Sequence, residues 1–508
     1  MKQNIGELLS KRADISRNVE AFVEFERDRR FTFLQLNQRC NRTANSLLAQ
    51  GVKRGDRVAT LLKNGIEFIE TYYAIAKIGA VMVPVNWRLV VSEITYILND
   101  SGAIALIYDD DFDSAVEQLE SEKTNDNQAT APRFALDYND LTREASADEP
   151  TISAGDDDLL FIMYTSGTTG HPKGVMHSHT GVLWSSLTSM STSDMRGDDR
   201  FLLPMPMFHV GCLMPVSLLV HRGAAGIIMR DVDIDLMFKA IEQEQVSITM
   251  SVPALLQFML ISPQREHSDM SSIRWIATGA SPVPLSLLKQ YDDIGIALHQ
   301  AYGLTESCGP GTLLLSHDAP NKPGSCGKPQ MHTLARVVTD DGLDVAADNT
   351  QVGELILGGE HMMLGYWNNP EATAEAMRDG WLYTGDLCTI DEDGFITICD
   401  RKKDMIISGG ENIYPAELEN ALAGCPEVQE AAVIGIPSEK WGETPLAIVV
   451  PSAGCQPTPE SLKAYCKTNL AGYKVPQLYK LVDALPRNAS GKLLKPQLRE
   501  QFPDKAPF

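Results

Sequence analysis

Apolar and polar positions along the chain alternate between two periods. "FTFLQLNQRCNRTANSLLAQGV" repeats its apolar residues at helical spacing and ends near Gly51. "DRVATLL" then reads as a strand, "GIEFIETYYAIAKIGA" as a helix, and "VMVPVN" and "IALIYDD" as further strands. The acidic, polar stretch from Glu120 to Pro132 reads as a surface loop. The alternation resumes with strands in "AAGIIM", "VSITMSVP" and "IRWIATG" and helices in "DLMFKAIEQEQ" and "PLSLLKQY". Strand and helix taking turns in this way predict an α/β fold. From about Val352 the rhythm changes to short strands with turns, "GELILGG", "WLYTGDLCTI" and "GFITICD". The charged "DRKKD" at 400–404 follows, and then a small α+β unit of its own. The pattern predicts a large domain over residues 1–402, a small one over 403–508, and a boundary near Lys403.

With 508 residues the chain exceeds what one core usually serves, so two domains are expected on length as well. Hydrophobic residues make up 44% and charged residues 22%, which is ordinary for a globular protein. A formal net charge of −23 argues against nonspecific nucleic-acid binding, which needs Lys and Arg on phosphates. It leaves room for a small anionic ligand in a locally basic pocket. Nine scattered cysteines without a C-x-x-C pair read as reduced thiols in a cytoplasmic protein. His177 and His179, two residues apart, cannot share a helix face and read as ordinary surface or loop histidines. No apolar leader opens the chain. Residues 201–220 are uncharged over a length able to cross a bilayer, but Pro204, Pro206 and Pro215 break them. A strand, loop and buried helix, and the wall of an apolar pocket, are expected there.

The densest chemistry lies at 164–174, "YTSGTTGHPKG", directly after the apolar "LLFIM". Its glycines free the backbone to bend around a ligand. Thr165, Ser166, Thr168 and Thr169 bring hydroxyls, and Lys173 a positive charge. A flexible turn explains the glycines and serines, but not the density of donors with a lysine. It is no Walker A loop: that motif needs Ser or Thr after its lysine, and Gly174 follows Lys173.

The loop resembles the signature of the adenylate-forming superfamily, which includes acyl-CoA synthetases, firefly luciferase and peptide synthetase adenylation domains. Further segments match in that family's order and cover nearly the whole chain. "ATGASP" (277–282) and "QAYGLTES" (300–307) resemble its adenine and phosphate segments. "YTGDL" (383–387) resembles its ribose segment, "DRKKDMIISGGENIYPAELE" (400–419) its hinge, and "PRNASGKLLK" (486–495) its C-terminal lysine segment. The resemblance implies a large multi-sheet N-terminal domain with a small, mobile C-terminal domain.

It also implies substrates and roles. ATP, magnesium and coenzyme A are expected. Thr165, Ser166, Gly167, Thr168, Thr169 and Lys173 would hold the phosphate end of ATP, and Gly279, Ala280, Tyr302 and Gly303 its adenine side. Glu306, with Thr165, would meet magnesium, which prefers carboxylate and phosphate oxygens. Thr305 would donate to the α-phosphate. Taken alone, Thr-Glu reads better as a helix N-cap with an acidic first turn, and only the family match favours the functional reading. Asp386 would meet the ribose, Arg401 the ribose or a phosphate, and Lys492 the reacting carboxylate and α-phosphate. Lys403 matches the hinge position, and Ser408, Gly409 and Gly410 the path of the pantetheine arm. Joining two anions at phosphorus needs charge and orientation more than a protein nucleophile, and these residue types supply both.

The acyl side is less explicit. Amino-acid adenylation domains typically place an aspartate where this chain has His209, in "PMFHVGC". With no carboxylate to pair with an amine, a fatty acid is expected, and His209 resembles the gate of an acyl tunnel. Met205–Leu219, Met250–Leu256 and Cys308–Leu315 are candidate walls, rich in adaptable apolar side chains. The wording of the motifs resembles bacterial fatty-acyl-CoA synthetases for long and very long chains. An aryl acid, or a carrier protein as acceptor, is the alternative. No polybasic segment marks a membrane anchor, so any membrane contact is expected to be weak and peripheral.

Overall fold

The structure is a computed structural model. It describes residues 3–125, 134–141, 145–152, 154–165, 172–281, 283–409, 411–438, 440–487 and 493–503. The chain divides into two compact units, 1–335 with 357–382, and 336–356 with 383–508.

The first unit holds two sheets. In one, parallel strands Trp275–Gly279, Ile248–Ser251, Arg200–Leu203 and Ala225–Ile228 lie in sequence, with Ala297–Tyr302 beside Trp275–Gly279. The other carries Val81–Pro84, Arg57–Leu61 and Ala105–Tyr108 as a parallel centre. Its far side ends in the antiparallel trio Leu159–Thr165, Lys173–Ser178 and Gly365–Tyr366. Strands fed by crossover helices read as near-continuous apolar runs because both faces are covered.

One shared core explains how the two sheets are joined. It takes residues from both, and from the helices Ile5–Ile15, Phe33–Ala49, Ile66–Ile78 and Val210–Arg222. Phe33–Ala49 begins where the pattern placed it because Thr32 and Gln35 cap each other reciprocally, over 3.3 and 2.9 Å. Ile66–Ile78 is buried on every side and ends at Gly79 in the left-handed conformation. It carries Lys77 fully inside. The ammonium is satisfied by Ser10, Asn37 and Asn41, each at 2.7 Å, and by Glu149. A buried charge survives only with such a set of acceptors.

Two expectations change, and the strand and buried helix expected in the uncharged stretch are found. The loop expected over Glu120–Pro132 begins inside a helix, Asp113–Asn125, whose Val116 and Leu119 turn inward on one face; residues 126–132 lie outside the description. The uncharged stretch 201–220 splits into the strand Arg200–Leu203 and the helix Val210–Arg222, with Pro215 inside the helix. No described helix is long and apolar enough to cross a membrane. His177 and His179 are both fully buried, not at the surface. His177 sits on the strand Lys173–Ser178, and His179 opens the following helix, where its Nδ1 accepts from the Ile5 amide at 3.2 Å.

In the second unit, Glu411–Ile413, Ile406–Ser408, Gly442–Pro451 and Val428–Ser438 form an antiparallel sheet. Leu478–Leu481 adds in parallel to Gly442–Pro451. Helices Pro415–Ala423 and Pro459–Asn469 share one apolar cluster of this unit. Lys495–Gln501 packs into another through Leu498. No disulfide joins any of the nine cysteines, all of which lie among the described residues.

Candidate active site

The glycine- and hydroxyl-rich segment joins two strands that pair directly, with Thr165 opposite Lys173 and Tyr164 opposite Gly174. The structure therefore places both ends of the segment side by side. Ser166, Gly167, Thr168 and Thr169 lie outside the described residues.

Lys173 points over a tyrosine not singled out by motif. Its Nζ lies 5.0 Å from the centroid of the Tyr366 ring, a cation–π distance. The Tyr366 hydroxyl donates to Glu306 Oε1 at 2.8 Å. Burial and the Glu306 charge push the Tyr366 pKa well above its ordinary value, so the hydroxyl stays a donor. Three residues from three distant segments thus form one chain of contacts, with Thr165 attached through its pairing to Lys173. Thr305 joins from the other side, its carbonyl 2.7 Å from His177 Nε2. Burial lowers the His177 pKa to about 4, so this ring is neutral and donates to that carbonyl.

The turn that presents Thr305 and Glu306 depends on glycine. A Cβ on Gly303 would collide with the carbonyl oxygen of Gly309, and one on Gly279 with that of Ala301. Gly279 pairs with Ala301 in register, which sets it and Ala280 beside the strand end at Tyr302. Ala280 has φ 65° and Cys308 φ 55°, left-handed values that side chains rarely adopt. Such strained positions gather where a backbone must approach a ligand closely.

The three apolar segments do come together. Cys308 Sγ lies 3.3 Å from Met214 Sδ. A Cβ on Gly309 would stand 3.9 Å from Val210, and one on Gly211 4.0 Å from the Met250 methyl. His209 precedes the helix Val210–Arg222, half-buried, with its ring 4.5 Å from that of Phe208. Its Nε2 has no partner among the described residues. Burial, and then the nearby Arg88 charge, lower its pKa to about 4. A neutral ring with one unused nitrogen suits an apolar passage better than an ion pair.

In the second unit, Asp386 and Arg401 pair across neighbouring strands, with Arg401 Nε 2.6 Å from Asp386 Oδ1. Ser408 closes a strand against Gly442 and Glu411. Gly409 follows with φ 63°, and its amide donates to the Trp441 carbonyl at 2.7 Å. Lys403 is exposed. Gly410 and Lys492 lie outside the described residues.

The donor chemistry fits magnesium. Glu306 is a half-buried carboxylate with one oxygen engaged by Tyr366, and Thr165 offers a hydroxyl. Among the described residues no cluster of three or more His, Cys, Asp or Glu could hold an ion alone. Magnesium is commonly held by one or two carboxylates together with substrate phosphates.

Comparison with known proteins identifies the family. The family model for AMP-binding enzymes matches residues 9–367, and that for the AMP-binding enzyme C-terminal domain matches 417–492. The chain belongs to the AMP-binding, adenylate-forming enzyme family. It is 44% identical to the long-chain-fatty-acid–CoA ligase FadD13 of Mycobacterium tuberculosis, over 98% of this chain and 99% of that one. It is 41% identical to a feruloyl-CoA synthase from Amycolatopsis, over 93% of this chain and 94% of the relative. A solved o-succinylbenzoate coenzyme A synthetase from Bacillus subtilis, in complex with ATP and magnesium ion, is similar at TM-score 0.89 and 32% identity. That likeness covers 98% of this chain and all of the other (100%).

Proposed function

We propose that the chain is an AMP-forming fatty-acyl-CoA synthetase. It activates a medium- to long-chain fatty acid with Mg-ATP to acyl-adenylate and pyrophosphate. It then transfers the acyl group to coenzyme A. The observation that carries the acyl side is the meeting of three apolar segments around Val210, Met214, Met250 and Cys308. None of the three segments contains a carboxylate.

In this reading, Lys173 and the hydroxyls of 165–169 hold the departing phosphates, and Thr305 donates to the α-phosphate. Glu306 and Thr165 hold magnesium, which when bound neutralises phosphate charge. Gly279, Ala280, Tyr302 and Gly303 line the adenine. Asp386 accepts from the ribose hydroxyls beside Arg401. Lys492 places a point charge on the carboxylate and α-phosphate during adenylation. Lys403 is the hinge of the small domain between the half-reactions, and Ser408, Gly409 and Gly410 border the thiol's path. His209 gates the acyl passage. The protein works in the cytoplasm, with at most peripheral contact at the inner membrane face.

An aryl-acid CoA ligase is the second reading, favoured by the 41% identity to a feruloyl-CoA synthase. The acceptor is tested by offering coenzyme A and an acyl carrier protein in parallel and weighing the products by mass spectrometry. Acyl-CoA alone is expected. Acylated carrier protein with no acyl-CoA would overturn the assignment.

A further inference from the structure

We propose that Tyr366 is a positioning residue that fixes the orientation of Glu306 while keeping it apart from Lys173. The proposal rests on the reading of Glu306 as the magnesium-facing carboxylate.

The geometry gives Tyr366 two neighbours of opposite charge. Its hydroxyl occupies Glu306 Oε1, and its ring lies under the Lys173 ammonium. No ion pair joins Lys173 to Glu306 among the described residues. A lysine and a glutamate left free beside each other would neutralise one another, and neither would then present its full charge to a ligand. With the ammonium over the ring and one carboxylate oxygen on the hydroxyl, the ammonium remains available to phosphate oxygens and the second carboxylate oxygen to a metal. Hydrogen bonds that orient a ligating group are conventionally worth much of its affinity, since they remove the rotation that binding must otherwise freeze.

The backbone holding this tyrosine is tied on both sides. Gly365 and Tyr366 pair with Met176 and Val175 on the lysine's own strand. The Trp367 amide donates to the Gly174 carbonyl at 2.7 Å. On the other side the Met363 amide donates to the Glu306 carbonyl at 2.8 Å. The Trp367 indole donates to the Asp100 carbonyl at 2.9 Å, and Asp100 Oδ2 accepts from the Tyr164 hydroxyl at 2.5 Å. One short segment therefore spaces the base of the phosphate loop from the Glu306 turn, and the tyrosine is the side chain that faces both.

Tyr366→Phe keeps the ring under Lys173 and deletes only the hydroxyl. ATP binding to the full chain is measured by calorimetry in EDTA and again with magnesium chloride, beside wild type and Glu306→Gln. Tyr366→Phe is expected to bind ATP within twofold of wild type in EDTA, which also shows that it is folded. The gain on adding magnesium should shrink about tenfold or more. A gain equal to wild type overturns the proposal. So does an equal loss of affinity with and without magnesium, the mark of a merely structural role. If wild type itself shows no magnesium-dependent gain, or Glu306→Gln keeps it, the reading of Glu306 fails and the proposal with it.

Discussion

Arg401 Nε lies 2.6 Å from Asp386 Oδ1, and the two residues stand directly opposite on antiparallel strands. The carboxylate is nearly inaccessible, with 4% of its side chain exposed, while the guanidinium is 37% exposed. A buried acid held by a more exposed base is oriented before a nucleotide arrives. Asp386→Asn preserves the shape and removes the charge. The KM for ATP in pyrophosphate exchange should rise at least about tenfold, roughly the weight of a charge-assisted hydrogen bond pair. A lowered melting temperature with unchanged KM would assign Asp386 to structure alone.

Gly303 is the least replaceable residue of the Thr305–Glu306 turn. A Cβ there collides with backbone, the carbonyl of Gly309, which no side-chain rotation relieves. Gly303→Ala should cut adenylation by about a hundredfold or more, because a displacement of about 1 Å at a positioning group has that effect. Gly295→Ala is the control, since a Cβ at Gly295 meets nothing within 4 Å, although its φ of 78° carries some strain. Equal rates in both variants would show that the turn tolerates movement.

Buried histidines make the fold sensitive to acid. Burial lowers His177, His179, His209, His299 and His361 to about 4. A group depressed below its ordinary value near 6.5 contributes stability that is fully present above that value. This stability is lost as pH falls toward the folded pKa, because the unfolded chain takes up the proton first. Urea midpoints should therefore fall between pH 6.5 and pH 4. His179→Asn keeps an acceptor for the Ile5 amide and removes one titrating ring. Its stability should fall less steeply with acid, by about 1.4 kcal/mol per pH unit at most. A slope identical to wild type would exclude His179 from the effect.

Lys492 carries a prediction about half-reactions. Lys492→Ala should abolish acyl-adenylate formation while thioester formation from supplied acyl-adenylate continues within a fewfold of wild type. Equal loss of both steps would contradict the role.

The alternation of strand and helix was legible because both periods are strong and each element is short. The site was legible where a motif is contiguous, as in Lys173, Glu306 and Asp386. Tyr366 was not, because one partner, Glu306, lies 60 residues before it, and the other, Lys173, comes from the strand that pairs with the two-residue Gly365–Tyr366. Local spacing holds no trace of such a pairing. His177 and His179 are buried for different reasons, one inside the strand Lys173–Ser178 and the other at the first position of the helix His179–Thr192, so their spacing of two said nothing of burial. Lys77 escaped notice for another reason. Its acceptors come from three other segments, and only their meeting explains a charge inside an apolar helix.

Activation of a fatty acid is measured by pyrophosphate release with Mg-ATP and coenzyme A, across straight-chain acids of graded length and across cinnamate- and benzoate-type acids. The expected kcat/KM is highest for medium- to long-chain fatty acids and at least about tenfold lower for every aryl acid, the discrimination that a few buried methylenes supply. An aryl acid turned over faster than every fatty acid would contradict the assignment.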